Sequence, residues 1–332
     1  MTSTHPGAGR RPAYRAPAQL GGRREPDGAS APSTRGRRRP HGAGRRLRTA
    51  IGFLLPAIAI LSVFVVWPMF SALRLSFTDA SGFGEVSAVG MQNYLRVFTD
   101  PEIRDALGNT VLYAVLFTPT AVLVALGLAL LLNHPRLPFR GLFRTSLFLP
   151  FVVSLAVAAL AWSYLIDPQV GLLHYWLRGI GIDLGNVLQD PNLAMPAVAL
   201  VAVWKNFGFY MVIFIAGLQD VPASLYEAAK MDGAGPLSRF RNVTVPMLSN
   251  TTAFVLIFAL IAALQAFDQI YVMTGGGPFG STQTIVMEIY RSGFRRLELG
   301  FASALSYVLL IGTLLLSLAQ FAFFGRREHE RI

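Results

Sequence analysis

Long runs without a charged residue alternate with short polar segments along most of the chain. Such runs extend from about Ala50 to Leu73, Thr110 to Leu132, Thr145 to Ile166, Met247 to Phe267 and Gly300 to Phe324; another, Leu193 to Leu218, is interrupted only by Lys205. A hydrocarbon core about 30 Å thick is crossed by about 20 apolar helical residues, so each run is long enough to span it. Helices satisfy their own backbone groups where water is absent, whereas a barrel would show short alternating strands. The pattern therefore predicts an all-α, polytopic membrane protein with six transmembrane helices. Prolines at 56, 68, 119, 150 and 196 fall inside these runs, where neighbouring helices tolerate them as kinks.

Composition agrees and removes other classes. Of 332 residues, 53% are hydrophobic and 14% charged, far below the roughly 25% charge of a soluble domain. The net charge of +11 is concentrated at one end, since residues 1–49 hold 12 Arg against two acids. Those arginines sit in a Gly/Pro-rich tail and not on a folded face, so no nucleic-acid partner is expected. The tail has too little apolar area to fold. The run behind it has span length, so it does not read as a signal peptide. With no cysteine, disulfide scaffolds and cysteine nucleophiles are excluded. The five histidines, at 5, 41, 134, 174 and 329, are scattered without ligand spacing, so no metal site is expected. If the N-terminus lies inside, the inner segments (1–49, 134–144, 219–246 and 325–332) carry 21 Lys and Arg, against 7 in the outer ones. Both termini are expected in the cytoplasm.

The inner segment between the fourth and fifth spans, GLQDVPASLYEAAKMDGAGPLSRFRNVTVPML from Gly217, is the most informative. Pro222 suits a first helical turn, and Ser224 with Glu227 has capping-box spacing, predicting a short helix to about Asp232. Gly233 then supplies a left-handed stop. Pro236 and Ser238 can start a second short helix ending before Pro246. Ala228 and Ala229 leave one side of this knob smooth enough for a partner to approach.

Here the sequence resembles the membrane permease subunits of binding-protein-dependent ABC importers. Their cytoplasmic loop carries Glu-Ala-Ala, a glycine four residues on, and a Leu-Pro ending about ten residues later. This chain has Glu227, Ala228, Ala229, Asp232 and Gly233, then Val243, Val245 and Pro246, with Val245 where leucine is usual. Asn93, Tyr94, the run Ala106 to Thr110, the segment Val272 to Pro278, Thr282 and Tyr290 resemble the carbohydrate branch of the same family. The resemblance implies one of two membrane subunits in a bacterial inner-membrane importer of sugars or polyols. Its partners would be a second six-span permease, two ATP-binding subunits that use the ATP, an outer solute-binding protein and the lipid bilayer. It also implies that Glu227, Ala228, Ala229, Asp232, Gly233, Val245 and Pro246 dock the ATPase, with no cofactor and no catalytic residue on this chain. The expected organisation is a tail (1–49), a six-span domain (50–325) with its docking loop (219–246), and a short inner tail (326–332).

Other constellations are weighed beside this. Gly275–Gly277 lacks the Lys and Ser/Thr of a phosphate loop, so the chain is not expected to hydrolyse ATP. Lys205 lies near the middle of a span, where a charge costs roughly 2.5–3.5 kcal/mol on insertion scales and belongs at an interior or wet cavity. Asn206 and Gly208 stand beside it. Gln265, Asp268 and Gln269 share a helical face at the outer end of the fifth span. With Phe267 or Tyr271 as stacking partners, they suit sugar hydroxyls and rings. Lys205, Asn206, Gln265 and Asp268 are thus the candidate solute-path residues. The alternative, an ion-coupled secondary transporter, expects carboxylates well inside spans and an internal repeat; neither is evident.

Overall fold

The computed structural model describes residues 43–329 apart from Phe83 and Pro135; the expectations for residues 1–42 and 330–332 lie outside the described residues. The chain divides into two compact units, Met1–Ala59 and Ile60–Ile332. In the first, helical backbone begins at Ala43. In the second, the described residues form helices and turns with two isolated bridges, Thr78 to Ala88 and Ser81 to Glu298, and no strand.

In chain order the helices are α1 (Ile51–Leu75), α2 (Gln92–Thr99), α3 (Pro101–Leu132), α4 (Arg140–Val152), α5 (Leu155–Leu165) and α6 (Leu172–Gly179). They continue as α7 (Ala194–Gln219), α8 (Ala223–Met231), α9 (Pro236–Met247), α10 (Ser249–Leu264), α11 (Asp268–Met273), α12 (Ile285–Tyr290) and α13 (Leu299–Phe323). Among the described residues, α1, α3, α7 and α13 are each long and apolar enough to cross a membrane. Two bent pairs, α4 with α5 and α9 with α10, raise the number of candidate spans to as many as six.

Two of the bends go beyond the proline kinks expected. The predicted run from Thr145 to Ile166 is broken by 97° between α4 and α5, where Val153 and Ser154 take extended ψ angles of 141° and 137°. At the other pair the helix does not stop before Pro246. It runs through to Met247 and turns by 66° into α10. Each break follows a proline, Pro150 or Pro246, by two or three residues. Proline removes one bond from the ladder and crowds the carbonyl four residues back. Widened π-helical turns precede two prolines, Ser62–Val66 before Pro68 and Phe240–Thr244 before Pro246, and they relieve that crowding.

The core is organised around α3, which packs along α7 on one side and α10 on another. Ala121, Ala125 and Ala129 are fully buried at four-residue spacing on α3, facing small neighbours that include Ala199 and Ala202 of α7 and Ala259 and Ala263 of α10. Lipid tails are as apolar as leucine, so close dispersion packing of small residues holds such helices together. Helices α7 and α4 approach closely at Gly208, where a Cβ would lie 2.2 Å from the Leu147 carbonyl oxygen. By contrast α1 buries none of its apolar window within the chain.

Candidate functional site

Helix α7 ends, and α10 begins, at the knob formed by α8 and α9. The opposite ends of α7 and α10, with the start of α3, form the far end. Candidate sites lie at both ends and between them.

The knob is built by local chemistry. Helix α8 closes with a Schellman pair: the Gly233 N–H donates to the Lys230 carbonyl (3.1 Å) and the Ala234 N–H to that of Ala229 (2.9 Å). Gly233 has φ +76°, a left-handed conformation that glycine adopts without a Cβ clash. The expected capping box does not form. Pro222 is the N-cap and no side chain caps the helix, so Ser224 lies inside the first turn and cannot accept from the amides it was expected to satisfy. Tyr226 and Thr244 tie the two knob helices through their hydroxyls at 3.0 Å. Glu227, Ala228, Asp232 and Val245 are exposed, while Ala229 and Pro246 are half-buried. Met231 is 88% and Leu237 78% exposed. Both are large apolar side chains left bare on the knob. The sequence reading passed over both, although Met231 lies three residues after Ala228 and so on the same helical face.

Between the ends lies a cavity of about 170 Å³ lined by Tyr113, Phe117, Asn206, Gln265, Phe267 and Asp268, among others. Three of the four solute-path candidates therefore share one space, but not by the expected route. Helix α10 ends at Leu264, Phe267 takes φ −139° and ψ −60°, and Asp268 opens α11. The polar trio thus straddles a break instead of one continuous face. Gln269 donates to the Tyr113 hydroxyl at 2.7 Å, and its carbonyl oxygen is buried without a partner. Asn206 donates to the Ala202 carbonyl one turn back. Lys205, the fourth candidate, places its ammonium over the Phe151 ring, 4.6 Å from the centroid, an aromatic face attractive to a cation.

At the far end, a basin of about 720 Å³ is lined by Tyr271, Tyr290, Arg291, Arg295, Arg296 and Glu102, with Gly275 and Met287. Its frame is non-local. Asn109 donates to the Gly280 and Gln283 carbonyls, and Thr110 accepts from the Ile285 N–H, so the start of α3 grips the loop between α11 and α12. The fully buried Glu288 accepts from Arg296, from Ser292 and from Gln283 (2.5 Å). Asn93 donates to the Ser76 and Thr78 carbonyls, and Tyr94 meets the Ser76 hydroxyl at 2.8 Å. These residues were singled out for resemblance alone, and their visible work is to staple the far end. The Tyr290 hydroxyl and the Arg295 guanidinium beside Tyr271 hold its phenol below its ordinary pKa range. From the sequence alone, the arginines of this segment served only to orient the chain.

A bundle of membrane-length helices, a compact knob between two of them and a polar cavity within the bundle define a membrane-embedded transport component. The chain belongs to the family described as binding-protein-dependent transport system inner membrane component, which it matches over residues 101–327. It is 37% identical over 282 residues to the probable ABC transporter permease protein YurN of Bacillus subtilis, covering 84% of this chain and 96% of that protein. It is also 37% identical over 278 residues to the sn-glycerol-3-phosphate transport system permease protein UgpA of Yersinia pestis, covering 82% of this chain and 93% of that one. The sulfoquinovosyl glycerol transport system permease protein SmoG of Agrobacterium fabrum matches at 37% over 262 residues, 78% of this chain and 85% of its own length. In fold it is similar to a chain of a bacterial alginate ABC transporter solved in complex with an alginate pentasaccharide-bound periplasmic protein. The TM-score is 0.76 and the identity 23%, covering 85% of this chain and 96% of the other. The chain is thus an ABC transporter permease component of the membrane and not an enzyme, and the ion-coupled alternative falls away.

Proposed function

We propose that this chain is one of two six-span permease subunits of an ABC importer in a bacterial inner membrane, with the knob and both termini in the cytoplasm. It works with two ATP-binding subunits and an extracytoplasmic solute-binding protein, and it carries a sugar or related polyol. The observation that carries this reading is the knob. A short helix closed by Gly233 and tied to its neighbour through Tyr226 and Thr244 presents Glu227, Ala228 and the bare Met231 on a rigid support. Being continuous with α10 through the bend at Leu248, the knob can pass a push from an ATPase dimer into the bundle.

Within this proposal Glu227, Ala228, Ala229, Asp232, Gly233, Val245 and Pro246 form or shape the ATPase-docking surface. Glu227 pairs with a basic group there, and the alanines permit close approach. Asn206, Gln265 and Asp268 line the solute path with donors and acceptors suited to hydroxyls, and Lys205 contributes positive charge beside it. The names of UgpA, SmoG and the alginate system support the solute class. The chain binds no nucleotide itself, and the ATP is used by its partners. Residues 1–49 and 326–332 act as tails of the domain at 50–325.

The test is co-purification and transport. Co-expressed with a second permease, an ATP-binding subunit and a solute-binding protein from its source, the chain should co-purify with the ATP-binding subunit and support uptake of a labelled sugar or polyol. Purified alone it should turn over no ATP. Failure to capture any ATP-binding subunit, or ATP turnover by the isolated chain, overturns the reading.

A further inference from the structure

The far-end basin has features that the general reading does not use. At about 720 Å³ it falls within the range of small-molecule sites. Its three arginines are not equivalent. Arg296 is paired with the buried Glu288 and lies 3.7 Å from Glu298. Arg291 and Arg295 have no carboxylate within ion-pair distance among the described residues. Arg291 is held by the Gln283 side-chain carbonyl, and Arg295 lies beside the Tyr271 and Tyr290 hydroxyls on the basin lining. Both are therefore positioned by neutral partners and keep their charge available. Glu102 is the one carboxylate among the basin's lining residues, which leaves a net positive balance there.

The basin also has an apolar wall that leads inward. Phe267 packs on Tyr271 (5.3 Å) and Tyr290 (5.2 Å), and Tyr290 stacks on Phe294 (5.5 Å). Tyr271 and Tyr290 line the basin, while Phe267 lines the inner cavity with Asn206, Gln265 and Asp268. Phe267 and the two tyrosine rings packed on it therefore stand between the two spaces. A guanidinium presents a planar fork of donors that matches a carboxylate or phosphate two bonds at a time, and aromatic faces suit the C–H face of a sugar ring or polyol.

We propose that the basin is a receiving site for an acidic sugar or polyol, with Arg291 and Arg295 taking its carboxylate or phosphate and the aromatic wall taking its carbon skeleton. This inference rests on the permease reading and narrows its solute class. The anionic group enters the basin first, and displacement of Phe267 opens the way to the inner cavity.

The probes are glucuronate and glycerol 3-phosphate, each beside its uncharged counterpart, glucose or glycerol, titrated by ligand-observed NMR against the full-length chain in nanodiscs of zwitterionic lipid. At least one acidic probe should bind, its counterpart at least tenfold more weakly. The double variant Arg291→Gln with Arg295→Gln should lose at least tenfold in affinity, the lysine pair should recover part of it, and Arg178→Gln, at an exposed ion pair elsewhere, should change nothing. If the glutamine pair fails to fold, the acidic-to-neutral preference of the unmodified chain decides. Equal binding of charged and neutral probes, no binding of either acidic probe, or unchanged affinity in a folded glutamine pair overturns the inference. So does displacement of the probe by phosphatidylglycerol in the disc, which assigns the basin to lipid. Normal probe binding with lost capture of the solute-binding protein by the glutamine pair assigns the arginines to docking and equally overturns it. None of these outcomes touches ATPase co-purification, so failure here and failure of the permease reading are distinguishable.

Discussion

The knob and the far-end basin are built in opposite ways. Helix α8, its glycine stop and α9 form one short stretch of chain, and the contact joining them, Tyr226 to Thr244, spans 18 residues. The basin draws Glu102 from the start of α3 and its tyrosines and arginines from α11, α12 and the turn after them. It is held by Asn109 reaching across 171 residues to Gly280 and by a fully buried carboxylate. The knob displays most of its proposed docking side chains to solvent, whereas the basin depends on groups hidden behind it. A local device can be altered one residue at a time with little effect on the bundle. A non-local one fails as a unit.

The sharpest way to break this comparison is at Glu288. Replacing it by alanine leaves Arg296 facing a buried void and strips Ser292 and Gln283 of their acceptor. Loss of one partner of a buried pair costs roughly 3–5 kcal/mol, and the part-exposed Arg296 argues for about 3. Thermal unfolding of the purified chain should shift sharply downward while Glu288→Gln recovers part of the loss; an unshifted midpoint would mean that the far end does not rely on its buried frame. Gly208→Ala comes next. Its methyl must displace the Leu147 carbonyl, and overpacking of this kind costs about 1–3 kcal/mol, visible as reduced membrane abundance and a lower midpoint.

The knob should respond differently. Gly233→Val forces a branched residue into left-handed φ at about 1–2 kcal/mol, with nothing within 4 Å of the added Cβ. The bundle should keep its unfolding midpoint and abundance, whereas uptake and co-purification of the ATP-binding subunit should fall together. Normal uptake would show that coupling does not depend on this elbow. The smallest effect is expected for Tyr226→Phe, which removes one part-buried hydrogen bond, about 1 kcal/mol. A modest drop in uptake without loss of the partner would sharpen the view that the two knob helices move as one body.

What could be read from the sequence follows the same division. Uncharged runs of span length, the glycine stop at 233 and the Glu227-Ala228-Ala229 surface all depend on neighbours within a few turns, so local pattern was enough. The capping box at Ser224 failed because the helix, with Pro222 as its N-cap, starts two residues too early for it. The bare Met231 and Leu237 were passed over because an apolar residue in a short loop helix looks like core until its exposure is known.

The sequence by itself determined that the chain enters a membrane as helices and roughly where those helices and the knob between two of them lie, because helix formation and partition into hydrocarbon are set residue by residue over about 20 positions. Tertiary structure alone decided which prolines break a span. Helix α3 runs unbroken through Pro119, which lies on its exposed side, while Pro150 precedes a 97° turn. It also decided that Gln265 and Asp268 meet Asn206 across a helix break, and that Arg296 is neutralised while Arg291 and Arg295 are left open. A kink, a shared cavity and an unpaired charge are each settled by what packs opposite, and that partner comes from a distant part of the chain.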